Sequence, residues 1–526
     1  MLGQVPYKDS YGKRMQTGFG GIVHTPACGD GELFNTQNLT ADYYPILAPR
    51  KARGLYKSLT KANGLAGRDV LMWVDGTTFF YNNVAKGTVT DSRKKFYFIG
   101  PWVIIWPDKK FYNSLTDVFG GLEETYVSGA GQISFSDGTY AEVAAKANCI
   151  VTTGNAFNFE VGDAVTITRC TVEKNNTVPI IREISDDKKT LRFYENTFTI
   201  ASGTAYTEAG AITIARKIPD MDFLCQNENR LWGGKGDMIY ASASGNPKVW
   251  MDYDNLGTSS WYTPVGSEGD FTGCCGALGF PIFMKEDRIY KVYGSVPSEF
   301  KTLESASMGL LKGCERSFAI AGETLCYRSR HGIVRYSGGY PYIIDMELGA
   351  FSPLSAAAGT DGRKYYVSGL DADGNSVFLC YDTRYKTWVH EDNTLATDFA
   401  NAEDGLYFLS GNNIWKIENA AGCTVEDNVQ SVAEFGDFFE TSPQKKGLIA
   451  IQILADVPQD TTLTAFIRYD NDAAWTNIGS LTGSKKMNKL QLKYRRCDYW
   501  RLKLVGTGAW KVHAIAREYS NGSDKD

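Results

Sequence analysis

Histidine is scarce in this chain: four occur in 526 residues, at His24, His331, His390 and His513. They are far apart, so the sequence carries no HExxH and no paired Cys/His spacing for zinc. It also lacks a GxSxG elbow and a Walker loop, the local signatures of an acyl-transfer or nucleotide site. On these absences no cofactor or metal is expected and the chain reads as a non-enzyme. Long apolar runs are missing too, since none reaches the roughly 18 residues that a spanning helix needs. The start, MLGQVPYKDSYGKRMQTGFGG, has no apolar signal-peptide core, so neither secretion nor a membrane span is expected. The eleven cysteines include no CxxC and lie mostly in apolar runs such as LCYRS at 325–329 and FLCYD at 378–382. They read as buried free thiols in a reducing compartment. Clustered positive charge is also missing: the net charge is -5, which excludes a nucleic-acid binder held by a basic face. A conduit that DNA slides through remains compatible, because an acidic wall does not hold a phosphate backbone.

Glycine and aromatic residues are plentiful, with 54 Gly, 30 Tyr and 27 Phe, and helix-period runs are hard to find. This composition favours many short strands joined by tight turns, an all-β chain. Residues 222–250, DFLCQNENRLWGGKGDMIYASASGNPKVW, contain a whole unit of this kind. An alternating stretch at 221–225 leads to turn formers at 227–229 and a short strand at 230–232. Gly233-Gly234-Lys235-Gly236 then turns into a second strand at 238–241, and Gly245-Asn246-Pro247 breaks the chain. That order is the pattern of a four-stranded propeller blade, in which Arg230, Trp232 and Trp250 serve packing.

The unit returns at 273–293, 314–336, 361–392 and 398–418, at a spacing of roughly 40 to 50 residues. Two hairpins precede it, at 70–83 around Asp75-Gly76 and at 94–113 around Pro107-Asp108, with Trp73, Trp102 and Trp106 as blade packing. The count is about seven blades, with six and eight as its bounds. Between 121 and 215 the chain shifts towards Thr, Ser, Ala and Val and tryptophan disappears, which reads as an inserted small β-barrel or sandwich. From 431 to 526 longer alternating strands indicate a C-terminal β-sandwich. The expected organisation is an extended N-terminal arm at 1–53, a β-propeller at 54–120 and 216–430, the inserted β-domain at 121–215, and the sandwich.

Few residues stand out as candidate sites. The basic cluster Arg50, Lys51 and Arg53 reads either as a solvated end of the arm or as a contact with a neighbouring subunit. The aromatic loop SSWYTP at 259–264 presents Trp261 and Tyr262, which could stack on a sugar, although aromatic loops also serve subunit contacts. Cys326 with His331 is read as a core thiol and a turn histidine. DADGN at 371–375 is like the first half of a calcium loop but lacks its closing Glu, so a hairpin turn is expected. Asp345 and Glu347 would need a cleft to act as a glycosidase pair and are read as exposed acids.

Several stretches carry a family resemblance. Residues 269–294 (GDFTGCCGALGFPIFMKEDRIYKVYG), residues 312–344 (KGCERSFAIAGETLCYRSRHGIVRYSGGYPYII), the QNENRLWGG…DMIYASASGNPKVW stretch and the terminal sandwich resemble the tail hub and nozzle proteins of short-tailed bacteriophages. These are also called packaged-DNA stabilisation proteins. The resemblance covers most of residues 52–519, though the inserted domain is not general to the family. It implies a virion structural protein, made in the host bacterial cytoplasm and located in the tail. The chain would form a ring, a hexamer by the family's pattern, below portal and adaptor proteins. That ring would retain packaged DNA, conduct it without sequence preference during ejection, and serve as a platform for tail fibres or tip proteins. The family offers no catalytic motif to carry over. Two other readings stay open: a receptor- or glycan-binding tail protein using Trp261 and Tyr262, and a propeller glycan hydrolase.

Overall fold

The computed structural model describes residues 10–521 except 144, 201, 202, 204, 255, 403, 428 and 441–444. Residues 1–9 of the expected arm and the 522–526 tail lie outside the described residues. Strands dominate, and among the described residues helix is limited to four short 3-10 turns. None is long and apolar enough to cross a membrane. The fold class is all-β, of propeller type.

Among the described residues, seven antiparallel meander sheets repeat along the chain. They open on Ala62–Gly67, Lys95–Ile99, Phe223–Asn227, Gly273–Ala277, Ala319–Ala321, Ala357–Thr360 and Asp398–Ala402. The second strand of a meander is covered on both faces, as in Phe280–Met284 and Thr324–Ser329. This explains why such strands read as continuous apolar runs with cysteine among them.

The chain forms two compact units, one of Met1–Asp75 with Gly313–Asp526 and the other of Gly76–Lys312. In the second, Phe223–Asn227 packs against both Lys95–Ile99 and Gly273–Ala277, so three successive meanders adjoin through their first strands. Two further sheets lie, in chain order, between the meanders that open on Lys95–Ile99 and on Phe223–Asn227. One joins Glu124–Val127, Thr213–Arg216 and Thr166–Thr168; the other is five-stranded and centres on Lys146–Thr152. They enclose a core that includes Ile133, Phe135, Ile150, Phe193 and Ile214. Arg216 pins the exit of this insertion, donating to Leu122 O at 2.9 Å and to the buried Asp163 carboxylate at 2.5 Å.

In the first unit, Ala319–Ala321, Ala357–Thr360, Asp398–Ala402 and Ala62–Gly67 adjoin in that order. Gly54–Ser58 pairs antiparallel with Asn413–Lys416, so a strand from the start of the chain completes the last meander. The C-terminal part is a two-sheet sandwich around Trp500, Trp510, Leu448, Ile453 and Leu463. Its strand Thr462–Tyr469 alternates buried and less buried positions without a break, as a half-covered strand does.

Two sequence-based expectations change. The N-terminal segment is not an extended arm over its described length. Ser10–Gln16 is the edge strand of one sandwich sheet, beside Lys511–Asn521, and Leu33–Gln37 is the edge strand of the other, beside Gln430–Phe435. Nor do Gly233 and Gly234 form a turn. Both lie inside the strand Arg230–Lys235, and the turn falls at Gly236, with φ of 58°. A side chain at Gly233 would run into Met221 Sδ. Glycine is there because the strand is crowded, not because the chain reverses.

Candidate functional site

The basic cluster lies where the N-terminal segment passes from the sandwich to the last meander. Arg53 is 3% exposed. Its guanidinium donates to Glu391 Oε2 and Asp392 Oδ2, each at 2.7 Å, and stacks 4.3 Å above the Phe378 ring centroid. Arg50 reaches Glu426 Oε1 at 2.5 Å and Asn38 Oδ1 at 3.0 Å. Burial raises the Asp392 carboxyl, but the Arg53 charge and hydrogen bonds from Thr394 outweigh it and hold the group below its ordinary value. The reading of these arginines as a solvated end or a subunit contact is therefore corrected: both guanidinia are spent inside the unit. Lys51 alone of the three stands at the surface, 64% exposed and paired with Glu418 at 2.8 Å.

Beside this network is a cavity of about 310 Å³, near the lower limit of ligand-sized pockets. Tyr43, Pro49, Val425, Val429 and Trp510 supply apolar wall, and Lys511 lies over the Tyr43 ring at 4.1 Å. Trp510 is fixed by its Nε1 donating to Ser431 Oγ at 2.9 Å. This cavity is not legible in the sequence, because its walls come from three stretches widely separated along the chain, within 38–52, 425–431 and 508–511.

The two aromatic residues of the 259–264 loop separate. In Trp261–Pro264 the exposure alternates, and Trp261 turns inward against Trp232 and Phe300, with ring centroids at 6.0 and 5.4 Å. Trp261 is blade packing rather than a glycan contact. Tyr262 turns outward, is 50% exposed, and meets Tyr253 edge-on at 4.9 Å. Tyr253 was missed in the sequence because nothing local marks it as adjacent to Tyr262.

The remaining candidates do not assemble. Cys326 is buried and its thiol is pushed up to about 12 by burial, which leaves it inert as a nucleophile. Asp345 is buried and accepts from Ser352 Oγ at 2.5 Å, whereas Glu347 is exposed. Asp371 Oδ1 accepts the backbone amides of Asp373 and Asn375, so the loop closes on itself. Two distant histidines do converge: His24 and His390 pack on Phe351, with centroids at 4.5 and 5.0 Å. Burial pushes the His390 imidazole below its ordinary value, as expected of a core histidine.

No protein-family model matches this chain, and no curated protein matches it. Solved structures with a similar strand arrangement include an exo-β-1,3-galactanase from Phanerochaete chrysosporium, at 8% identity and a TM-score of 0.22 over 56% of this chain and 94% of that one. The WD40 domain of SCAP from fission yeast is similar at 8% identity and a TM-score of 0.23, covering 89% and 93% of the two chains. Trypanosoma rangeli sialidase gives 7% and 0.22, covering 74% and 91%. The exclusion of enzyme activity drawn from missing motifs is corrected by these matches, two of which are enzymes. Scores this low assign no activity to the chain.

Proposed function

We propose that this chain is a structural protein of a bacteriophage tail, a hub or nozzle subunit that assembles with copies of itself into a ring. The ring, six-membered in the family that the chain resembles, holds packaged DNA and passes it during ejection. It sits below portal and adaptor proteins and carries fibres. The observation that supports this reading is where the resembling stretches fall. Residues 269–294 span the three strands Gly273–Ala277, Phe280–Met284 and Arg288–Tyr293 of one meander, and residues 312–344 span all four strands of the next. The resemblance thus runs over consecutive strands of two successive meanders, three of four in one and all four in the next.

Two further features fit a part that carries mechanical load. The last meander is completed by a strand from the start of the chain, and the N-terminal segment supplies an edge strand to each sheet of the sandwich. Such closure holds these N-terminal strands by backbone ladders rather than by loose contacts. The outer strand Lys301–Ala306 is exposed along its whole length, leaving an edge available to a neighbouring subunit. The net charge of -5 suits a surface along which DNA must not stick. The test is to label the protein with antibody-bound gold in virions of a phage that encodes it. Gold at the tail agrees with the reading, and absence of the protein from purified virions contradicts it.

A further inference from the structure

Where the inserted sheets meet the third meander, aromatic and charged side chains alternate along an exposed surface. Tyr194, at the end of Thr190–Tyr194, is 57% exposed. The Arg182 guanidinium lies 4.3 Å from the centroid of its ring and donates from Nη2 to Asp254 Oδ2 at 2.5 Å. Asp254 follows Tyr253, itself 43% exposed, whose ring meets that of Tyr262. Tyr262 stands directly opposite Tyr240 on the adjoining strand, which supports it from one side. The two parts of this ledge are held together beneath it by Ala164, Ala243 and Val249, and at its flank by Lys248 donating to Glu160 at 2.7 Å.

This surface suits one ligand chemistry. A pyranose ring has an apolar C–H face and a rim of paired hydroxyls. Tyrosine offers a flat apolar area with little rotamer freedom to lose and a hydroxyl that can both donate and accept. The Arg182–Asp254 pair neutralises itself, and with its side chains 24% and 43% exposed it keeps further guanidinium N–H donors and carboxylate lone pairs for hydroxyls. A nucleic-acid strand would also stack on tyrosines, but it requires unpaired cations along its backbone, and the one arginine here is matched by a carboxylate.

We propose that this ledge binds a glycan chain. Tyr194, Tyr253 and Tyr262 take the apolar faces of successive sugar rings, and Arg182 with Asp254 hydrogen-bonds vicinal hydroxyls. The inference does not depend on the ring assembly proposed above. It moves sugar recognition away from Trp261, whose ring is packed inside the blade, and onto three tyrosines contributed by two parts of the chain.

The test is titration calorimetry on the full chain. The probes are hexasaccharides of glucan, galactan and mannan, a purified bacterial O-polysaccharide, and a thymidine oligonucleotide. The expected result is saturable binding to at least one carbohydrate, weakened about tenfold or more by Tyr262→Ala and by Tyr253→Ala. Tyr262→Phe keeps the ring and retains most of the affinity, which separates stacking from loss of fold. Failure of every carbohydrate probe to bind overturns the proposal, as does binding that both tyrosine-to-alanine variants leave unchanged. Binding of the oligonucleotide alone overturns it too and assigns the ledge to nucleic acid.

Discussion

Arg53 and Glu391 lie 338 residues apart in the sequence and 2.7 Å apart in the fold, with the guanidinium buried over the Phe378 ring. A charge in that position is tolerated only while its carboxylate partners remain. Replacing Glu391 by Gln, or Arg53 by Ala, is therefore expected to destabilise the unit by about 3–5 kcal/mol. Lys51→Ala is expected to stay within about 0.5 kcal/mol, since that side chain is largely in water. Urea denaturation of the three variants checks both statements.

Gly12 lies under the Tyr519 ring, and a side chain there would overlap its outer carbons. Gly12→Val is predicted to lift Ser10–Gln16 from its neighbour while leaving the rest of the sandwich folded. Hydrogen exchange should then accelerate in both paired strands and in no meander. Unchanged protection in residues 511–521 would contradict the pairing.

The N-terminal segment is also tied to a meander through Asp42. Burial raises this carboxyl, but hydrogen bonds from Lys364, Thr40 and Arg363 and the Lys364 charge prevail, and it falls from 3.8 to about 2. Because the folded value lies below the unfolded one, the unfolded chain binds the proton more readily. The contribution to stability is present above the ordinary value and is lost as the pH falls towards about 2. Asp42→Asn should flatten the dependence of melting temperature on pH in that window and leave the profile above it parallel to that of the native chain.

Trp261 and Tyr262 are adjacent in sequence and are expected to respond differently. Trp261→Ala removes a ring packed on Trp232 and Phe300 and should cost about 2–3 kcal/mol. Tyr262→Ala removes an exposed ring and should cost less than about 0.5 kcal/mol. Thermal melts of the two variants check the inward and outward orientations directly.

Much of the fold was legible because propeller strands carry local signals. Asp75-Gly76 between two apolar runs marked a hairpin, and the apolar runs around Cys326 and Cys380 marked buried thiols. What was not legible depended on distance along the chain. The pairing of Gly54–Ser58 with Asn413–Lys416 joins residues more than 350 positions apart, and neither strand has a composition that names its partner. The glycines at 233 and 234 misled because a crowded strand and a turn call for the same residue. The basic cluster misled for a related reason: sequence shows charge but not the carboxylates of Glu391, Asp392 and Glu426 that neutralise it. The ledge that includes Tyr194 and Tyr253 stayed hidden because an inserted sheet and a blade loop each supply part of it.

The measurement that bears most directly on the proposed role is the mass of the assembled particle in solution, by sedimentation velocity at rising protein concentration. A ring-forming tail subunit predicts a discrete closed species at six times the 58.1 kDa of one chain, with no larger open polymers. A protein that remains at 58.1 kDa at every concentration, and is also found only as separate copies in disrupted virions, would contradict the account.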